Sequence, residues 1–371
     1  MLETVHSING RGLGTTHLLK TFSFGEEGAR PHVYIQGGLH ADEGPGMLVA
    51  TLLHQNLLAL EHAGQITGRI TIVPVANPIG LSQFGLGQQE GRFDIYDGRN
   101  FNRHYPDLTL GAVGRVECEI GDSPCENATA IRRALRAEID DWAAETPADE
   151  LRKRLLQISV EADYVLDLHC DGEAEVHLYT QPAFVRSFEK LSSFLGARAV
   201  LVADVSGDGP FDEAVSSPWV ALRKLYGEDA IPIGCAATTV ELRGRSDVNV
   251  DLAKKDAHSI LQFLVSLNAL SGGGLDVPPA LCEPTPLAGS EALIAPTAGL
   301  LSYRASLGQY VNEGEIVADV INPFDGGVCE VRATTSGIFY ARADSRIAEV
   351  GKRLGKIAGK NAFRTGLLLS P

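Results

Sequence analysis

The chain has 371 residues, enough for one large enzyme domain with a smaller appendage, and its 44% hydrophobic and 21% charged content with 40 Gly spread along it excludes disordered, collagenous and coiled-coil chains. Thirty-two Lys+Arg against 47 Asp+Glu give a net charge of -15, which repels nucleic-acid backbones and anionic membranes, so neither is expected as a partner. The longest uncharged stretches, 70–89 and 257–275, are broken by Pro, Gly, Gln, Asn and Ser and predict no membrane span, while the first twelve residues lack a signal-peptide layout, which places the protein in the cytoplasm.

In chain order, the β-branched and aromatic run His32–Gln36 predicts a buried strand that ends in Gly37-Gly38, and from Pro45 a helix-like run follows. Arg69–Ala76 predicts a second strand, Asp163–Leu168 a third and Thr238–Leu242 a fourth, with helical patterns at roughly 128–144, 148–161 and 252–270. This alternation predicts an α/β fold whose sheet is covered on both faces, with ligands bound where loops leave the carboxyl ends of strands. Six cysteines far apart, with no C-x-x-C, predict free thiols rather than a disulfide framework or a cysteine zinc site.

After Leu270 the composition changes to Gly and Pro, which divides the chain into a domain at 1–272, a linker at 273–288 and a second domain at 289–371. The second domain holds a weak repeat: the stretch from Gly299-Leu300-Leu301-Ser302-Tyr303 to Gly314 is echoed from Gly337-Ile338-Phe339-Tyr340-Ala341 to Gly351, as a small two-fold β barrel-sandwich requires. The pattern resembles the biotinyl/lipoyl domain, but no lysine occurs between Lys255 and Lys352, so a carrier function is not expected and a structural or oligomerising role is.

The chemistry concentrates in four places. Gly37-Gly38-Leu39-His40-Ala41-Asp42-Glu43-Gly44 holds the only H-x-x-E of the chain, at the end of a predicted buried strand, where glycines on both sides let the backbone bring an imidazole and a carboxylate together. Zinc accepts both groups, and a catalytic zinc site keeps three protein ligands and one open position. His169, at the end of the apolar strand 164–168, offers the third, although a hydrogen-bonded histidine at a strand end reads the same way. Asp167 shares the face of His169 and suits either a supporting contact or a turn. Between these lies a loop with Arg92, Arg99 and Arg103 among glycines and aromatics, suited to an anion or to a forming oxyanion, or else to salt bridges with Asp94, Asp97 and Asp107. Glu241, within the apolar Thr239-Val240-Glu241-Leu242, needs a partner if buried, and a raised pKa would suit it to proton transfer; a structural pair with an arginine is the alternative.

Taken in order, H-x-x-E, R-x(9)-N-R, D-L-H and T-V-E-L resemble the succinylglutamate desuccinylase/aspartoacylase family, a branch of the zinc carboxypeptidase-like hydrolases, over residues 30–265. The resemblance implies a mixed sheet flanked by helices, one Zn2+ per chain held by His40, Glu43 and His169, Glu241 as general acid/base, Arg92 beside the scissile carbonyl, and Asn102 with Arg103 gripping a substrate carboxylate. It implies hydrolysis of a small-molecule N-acyl amino acid or related N-acyl amine, and leaves self-association into a homo-oligomer open. The family's D-L-N-R-x-F-P segment is here Asn100-Phe101-Asn102-Arg103-His104-Tyr105-Pro106, with Asn100 in place of the acid. Two alternatives stand beside this expectation: a metallocarboxypeptidase acting on short peptides, and a non-catalytic zinc-binding interaction protein.

Overall fold

The structure is a computed structural model that describes residues 1–369. The chain opens with β1 (Leu2–Asn9), β2 (Thr16–Phe24), β3 (His32–Gly37), α1 (Gly44–His62) and β4 (Arg69–Val73). A one-turn helix α2 (Pro78–Leu81), the small hairpin β5 (Phe84–Gly85) and β6 (Gln88–Gln89), and the helices α3 (Thr109–Val116), α4 (Pro124–Asp141) and α5 (Pro147–Ser159) lead to β7 (Tyr164–Asp171). Next come β8 (Glu173–Ala174), β9 (His177–Thr180), α6 (Val185–Leu195), β10 (Ala199–Val202), α7 (Phe211–Tyr226), β11 (Ala236–Gly244), α8 (Val250–Ser266) and β12 (Pro284–Pro286). The C-terminal strands are β13 (Ser290–Ile294), β14 (Gly299–Tyr303), β15 (Tyr310–Val311), β16 (Ile316–Ile321), β17 (Val328–Arg332), β18 (Gly337–Arg342), β19 (Ile347–Ala348) and β20 (Arg353–Gly359).

The main sheet has nine strands in the order β1-β2-β4-β3-β7-β11-β9-β10-β12. Its centre, β4, β3, β7 and β11, is parallel, whereas β1–β2, β2–β4 and β11–β9 pair antiparallel. The sheet is therefore mixed, as expected. Side chains alternate across it, so β7 sends Val165 into one core layer and Leu166 and Leu168 into the other. On the Val165 side the register sets Gln36 beside Asp167, Thr239 beside Asp167 and Glu241 beside His169. Strand period alone thus gathers a polar stripe at the carboxyl ends of the central strands.

Helix α1 approaches these ends unusually closely. A Cβ on Gly37 would meet Gly46 O at 2.5 Å, and one on Gly46 would meet Leu168 O at 2.5 Å, so only glycines let the start of α1 rest on β3 and β7.

The C-terminal strands form two facing sheets, β13-β20-β18-β15 and β17-β16-β14-β19, around a core that includes Val311, Val317, Phe339 and Ile357. The two sequence copies become the hairpins β14–β16 and β18–β20, one in each sheet. Within the stretch read as a linker, β12 joins the edge of the main sheet beside β10, and β8 pairs with β18. Arg342 and Arg346 meet Glu173 at 2.6 Å, and Lys356 pairs with Asp171.

Two buried histidines tie stability to pH. His32 donates to or accepts from Thr71 Oγ1 at 3.0 Å, and His177 lies between the rings of Tyr179 and Tyr340 with Nδ1 on Glu175 O at 2.8 Å. Burial, with the nearby Arg69 and Arg30, lowers His32 to about 3; burial lowers His177 to about 4 despite the charge of Asp171. Between these values and 6.5 the unfolded chain binds protons that the folded chain refuses, so stability is complete above about pH 6.5 and falls as the pH drops toward 4. Each histidine should cost about 2 kcal/mol by pH 5. Denaturant melts at pH 7 and pH 5 check this, and His177→Gln should show a smaller difference between them than the unaltered protein.

Candidate metal centre and active site

Glu43 is the residue that caps α1, yet its carboxylate makes no capping hydrogen bond. It turns instead to the strand ends. Oε1 lies 2.9 Å from His40 Nδ1, Oε2 lies 2.8 Å from His169 Nδ1, and Oε2 also accepts from the backbone N–H of Cys170 at 3.1 Å. His40, Glu43 and His169 are all buried, and a ligand atom from each lies within 4.8 Å of the others. The three residues named from the sequence thus converge although His169 is 126 positions from Glu43.

The outer ring nitrogens are already committed. His40 Nε2 is 2.8 Å from Asn100 Oδ1, and that oxygen also accepts from the backbone N–H of Asn102 at 2.8 Å, so His40 must be the donor there. His169 Nε2 makes a 2.9 Å ion-pair contact with Asp167 Oδ2, while Asp167 Oδ1 accepts from Gln36 Nε2 at 2.9 Å. Both Nδ1 atoms therefore face an ionised carboxylate, an arrangement that asks for positive charge between them.

The titration directions agree. Burial alone would raise Glu43, but the charges and hydrogen bonds of His40 and His169 hold it well below the usual carboxylate range. Burial would lower His169, but Asp167 and Glu43 overcome it and keep that imidazole protonated well above its ordinary value. Burial and Arg92 lower His40. The donor set of two imidazoles and one carboxylate, with both outer nitrogens supported, fits a divalent metal such as zinc.

These residues line a cavity of about 580 Å3 that also holds Arg92, Asn102, Arg103 and Glu241. Arg92 Nη1 lies 3.4 Å from Glu43 Oε1 and 3.2 Å from His40 Nδ1. Asn102 Oδ1 accepts from the backbone N–H of Phe211 at 2.9 Å, and its Nδ2 lies 3.3 Å from His169 Nε2. Arg103 is buried beside it and donates to Asn102 O at 2.7 Å. Asp94, an alternative partner for these arginines, instead pairs with Arg11 at 2.9 Å. Glu241 points a buried Oε2 with no hydrogen-bond partner into the cavity, and burial followed by the charge of Glu43 raises its pKa to about 8. The arginine beside it in sequence, Arg243, pairs with Asp256, so the structural pair considered for Glu241 does not form.

Several residues in and around the site escaped sequence reasoning. Asn100, which lies behind His40 and contacts it, stands out in the sequence only as a departure from a pattern. Asp212 and Glu213, at the start of α7, line the wall, and burial raises Asp212 to about 7. The C-terminal domain contributes Arg342, Asp344, Lys352, Arg353 and Lys356, which no local signal marks.

A family model for the succinylglutamate desuccinylase/aspartoacylase catalytic domain matches residues 29–136. N-alpha-acetyl-L-2,4-diaminobutyric acid deacetylase of Halomonas elongata is 25% identical over 352 residues, which cover 90% of this chain and 83% of that protein. Residues 29–136 are therefore similar to the catalytic domain of that family. Two solved structures share the fold of this chain. A candidate succinylglutamate desuccinylase/aspartoacylase from Shewanella frigidimarina is 24% identical with a TM-score of 0.83, covering 96% of this chain and 97% of the other. The product-bound ectoine utilization protein EutE (DoeB) from Ruegeria pomeroyi is 18% identical with a TM-score of 0.65, covering 96% and 94%. Among the described residues no helix is long and apolar enough to cross a membrane.

Zinc at 100 times its dissociation constant should stabilise the metal-free protein by about 2.7 kcal/mol. The rise in melting temperature that checks this should vanish in His169→Ala.

Proposed function

We propose that the protein is a zinc-dependent hydrolase of the amide bond in a small N-acyl amino acid, with one ion held by His40, Glu43 and His169. The observation that carries this reading is the meeting, in one cavity, of a three-residue metal cradle and the unpaired buried carboxyl of Glu241. When bound, the ion supplies Lewis-acid chemistry, polarising the scissile carbonyl and acidifying water.

The chain's own residues do the rest. Glu241, whose pKa is shifted toward neutrality, takes a proton from the attacking water and returns it to the leaving amine. Arg92, beside the cradle, steadies the carbonyl oxygen as it gains charge. Arg103 holds the substrate carboxylate from the cavity wall, and Asn102 holds the backbone from which that guanidinium extends.

Size supports a deacylase over a carboxypeptidase. The C-terminal strands line part of the cavity with residues 342–344, 351–353, 355 and 356, and its volume of about 580 Å3 suits a small molecule. Asp212 and Glu213 in the same wall suit a substrate that carries an amine beside its carboxylate, the chemistry named for the Halomonas relative.

Assays on N-acetyl amino acids with acidic, neutral and basic side chains, beside dipeptides, test the proposal: zinc-loaded protein should release acetate from the basic members and ignore the dipeptides. Glu241→Gln should lower kcat by about 10²–10⁴-fold with zinc content unchanged, and Arg92→Ala should lower it by about 10²–10³-fold. Near-normal turnover by Glu241→Gln would remove its assigned role.

A further inference from the structure

The two imidazoles of the cradle are supported by unlike groups. Behind His169 stands a carboxylate, Asp167, held in turn by Gln36, whose Oε1 accepts from Tyr34 Oη at 2.7 Å. Behind His40 stands a neutral amide, Asn100. Nothing about this amide is loose. Its backbone oxygen accepts from Arg152 Nη2 at 3.0 Å, Arg152 is itself buried and paired with Asp149 at 2.9 Å, and Oδ1 accepts from Asn102 N–H at 2.8 Å. With its oxygen so oriented, Asn100 can only accept from His40 Nε2, which leaves the Nδ1 lone pair directed at Glu43.

Asn100 Nδ2, meanwhile, is buried and has no hydrogen-bond partner. That amide nitrogen stabilises nothing nearby. An oxygen in its place would lose no contact, so what the amide changes is charge.

A carboxylate behind a ligating imidazole makes the ring a stronger donor to a metal, whereas an amide fixes the ring's tautomer and direction without adding charge. We propose that Asn100 is a positioning residue that presents Nδ1 of His40 to the metal and, through its neutral side chain, makes His40 the weaker of the two imidazole arms and holds the ion less tightly than a carboxylate at this position would. The proposal rests on the metal-centre reading above.

The test is metal affinity, measured by competition between the full-length protein and a chromophoric chelator for zinc, so no substrate is needed. Asn100→Asp, which keeps the shape and both acceptor contacts, should bind zinc about tenfold or more tighter than the unaltered protein, and Asn100→Leu, of similar size without an acceptor, about tenfold or more weaker. The melting temperature of each metal-free variant reports whether the fold is intact, and the Asp-against-Asn comparison stands even if the Leu variant is unstable. In a His40→Ala background, followed by calorimetry at millimolar zinc, the Asp and Asn forms should bind within about twofold of each other, because the effect acts through that ring. Asn100→Asp binding no tighter than the unaltered protein, or a gain that survives His40→Ala, overturns the proposal. If the unaltered protein takes up no zinc, or His169→Ala binds it as well, the metal-centre reading falls first and this inference with it.

Discussion

A carboxylate without water is costly unless positive charge meets it, and Glu43 imposes that condition on everything around it. Its two oxygens divide between His40 and His169, with one backbone N–H to spare. To reach them it must leave the usual work of a helix cap, and α1 must sit almost in contact with β3 and β7. The bare backbones of Gly37 and Gly46 permit that approach. Behind each ring stands an oxygen acceptor, Asn100 Oδ1 for His40 and Asp167 Oδ2 for His169, and it is these that make the outer nitrogens donors.

The C-terminal domain is part of the same arrangement. β8, which follows β7 directly in the chain, pairs with β18, and Lys356 pairs with Asp171, two residues beyond His169 on β7. The strand that presents an imidazole to the cradle therefore also anchors the wall that limits the size of the cavity. Tyr340 carries this contact inward, against His177 and bonded to Ser290 at 2.9 Å. One wall of the cavity and the placement of His169 therefore share one strand.

Legibility varied with the range of the signal. The strands at 32–37, 69–73, 164–171 and 236–244 are mostly buried and therefore read as short apolar runs, and the polar His169 and Glu241 stood out within two of them. The outer strands β1 and β2 pass half-exposed and carry Thr, His, Lys and Ser, and they left no clear pattern. β10, with four residues, and α6 and α7 likewise left no clear pattern. In the candidate site, His40 and Glu43 share one loop, and His169 and Glu241 each end a strand, so their residue types were informative in place.

Sequence alone determined the central strands and the kinds of groups available: an H-x-x-E after a strand, a histidine and a glutamate in other strands, a loop of arginines, and a repeat without a carrier lysine. Those features are written within a few residues of one another, where backbone period and side-chain chemistry act directly. Only the tertiary structure decided which groups meet. The register of β7 against β3 and β11 set Asp167, His169 and Glu241 side by side, the close seat of α1 brought Glu43 between two rings, and the C-terminal strands added a further wall to the cavity. Asn100 shows the difference most plainly: in the chain it is one amide in a polar loop, and its contact with His40 is fixed both by Asn102, two residues on, and by Arg152 from α5, which the loop's own residues do not specify.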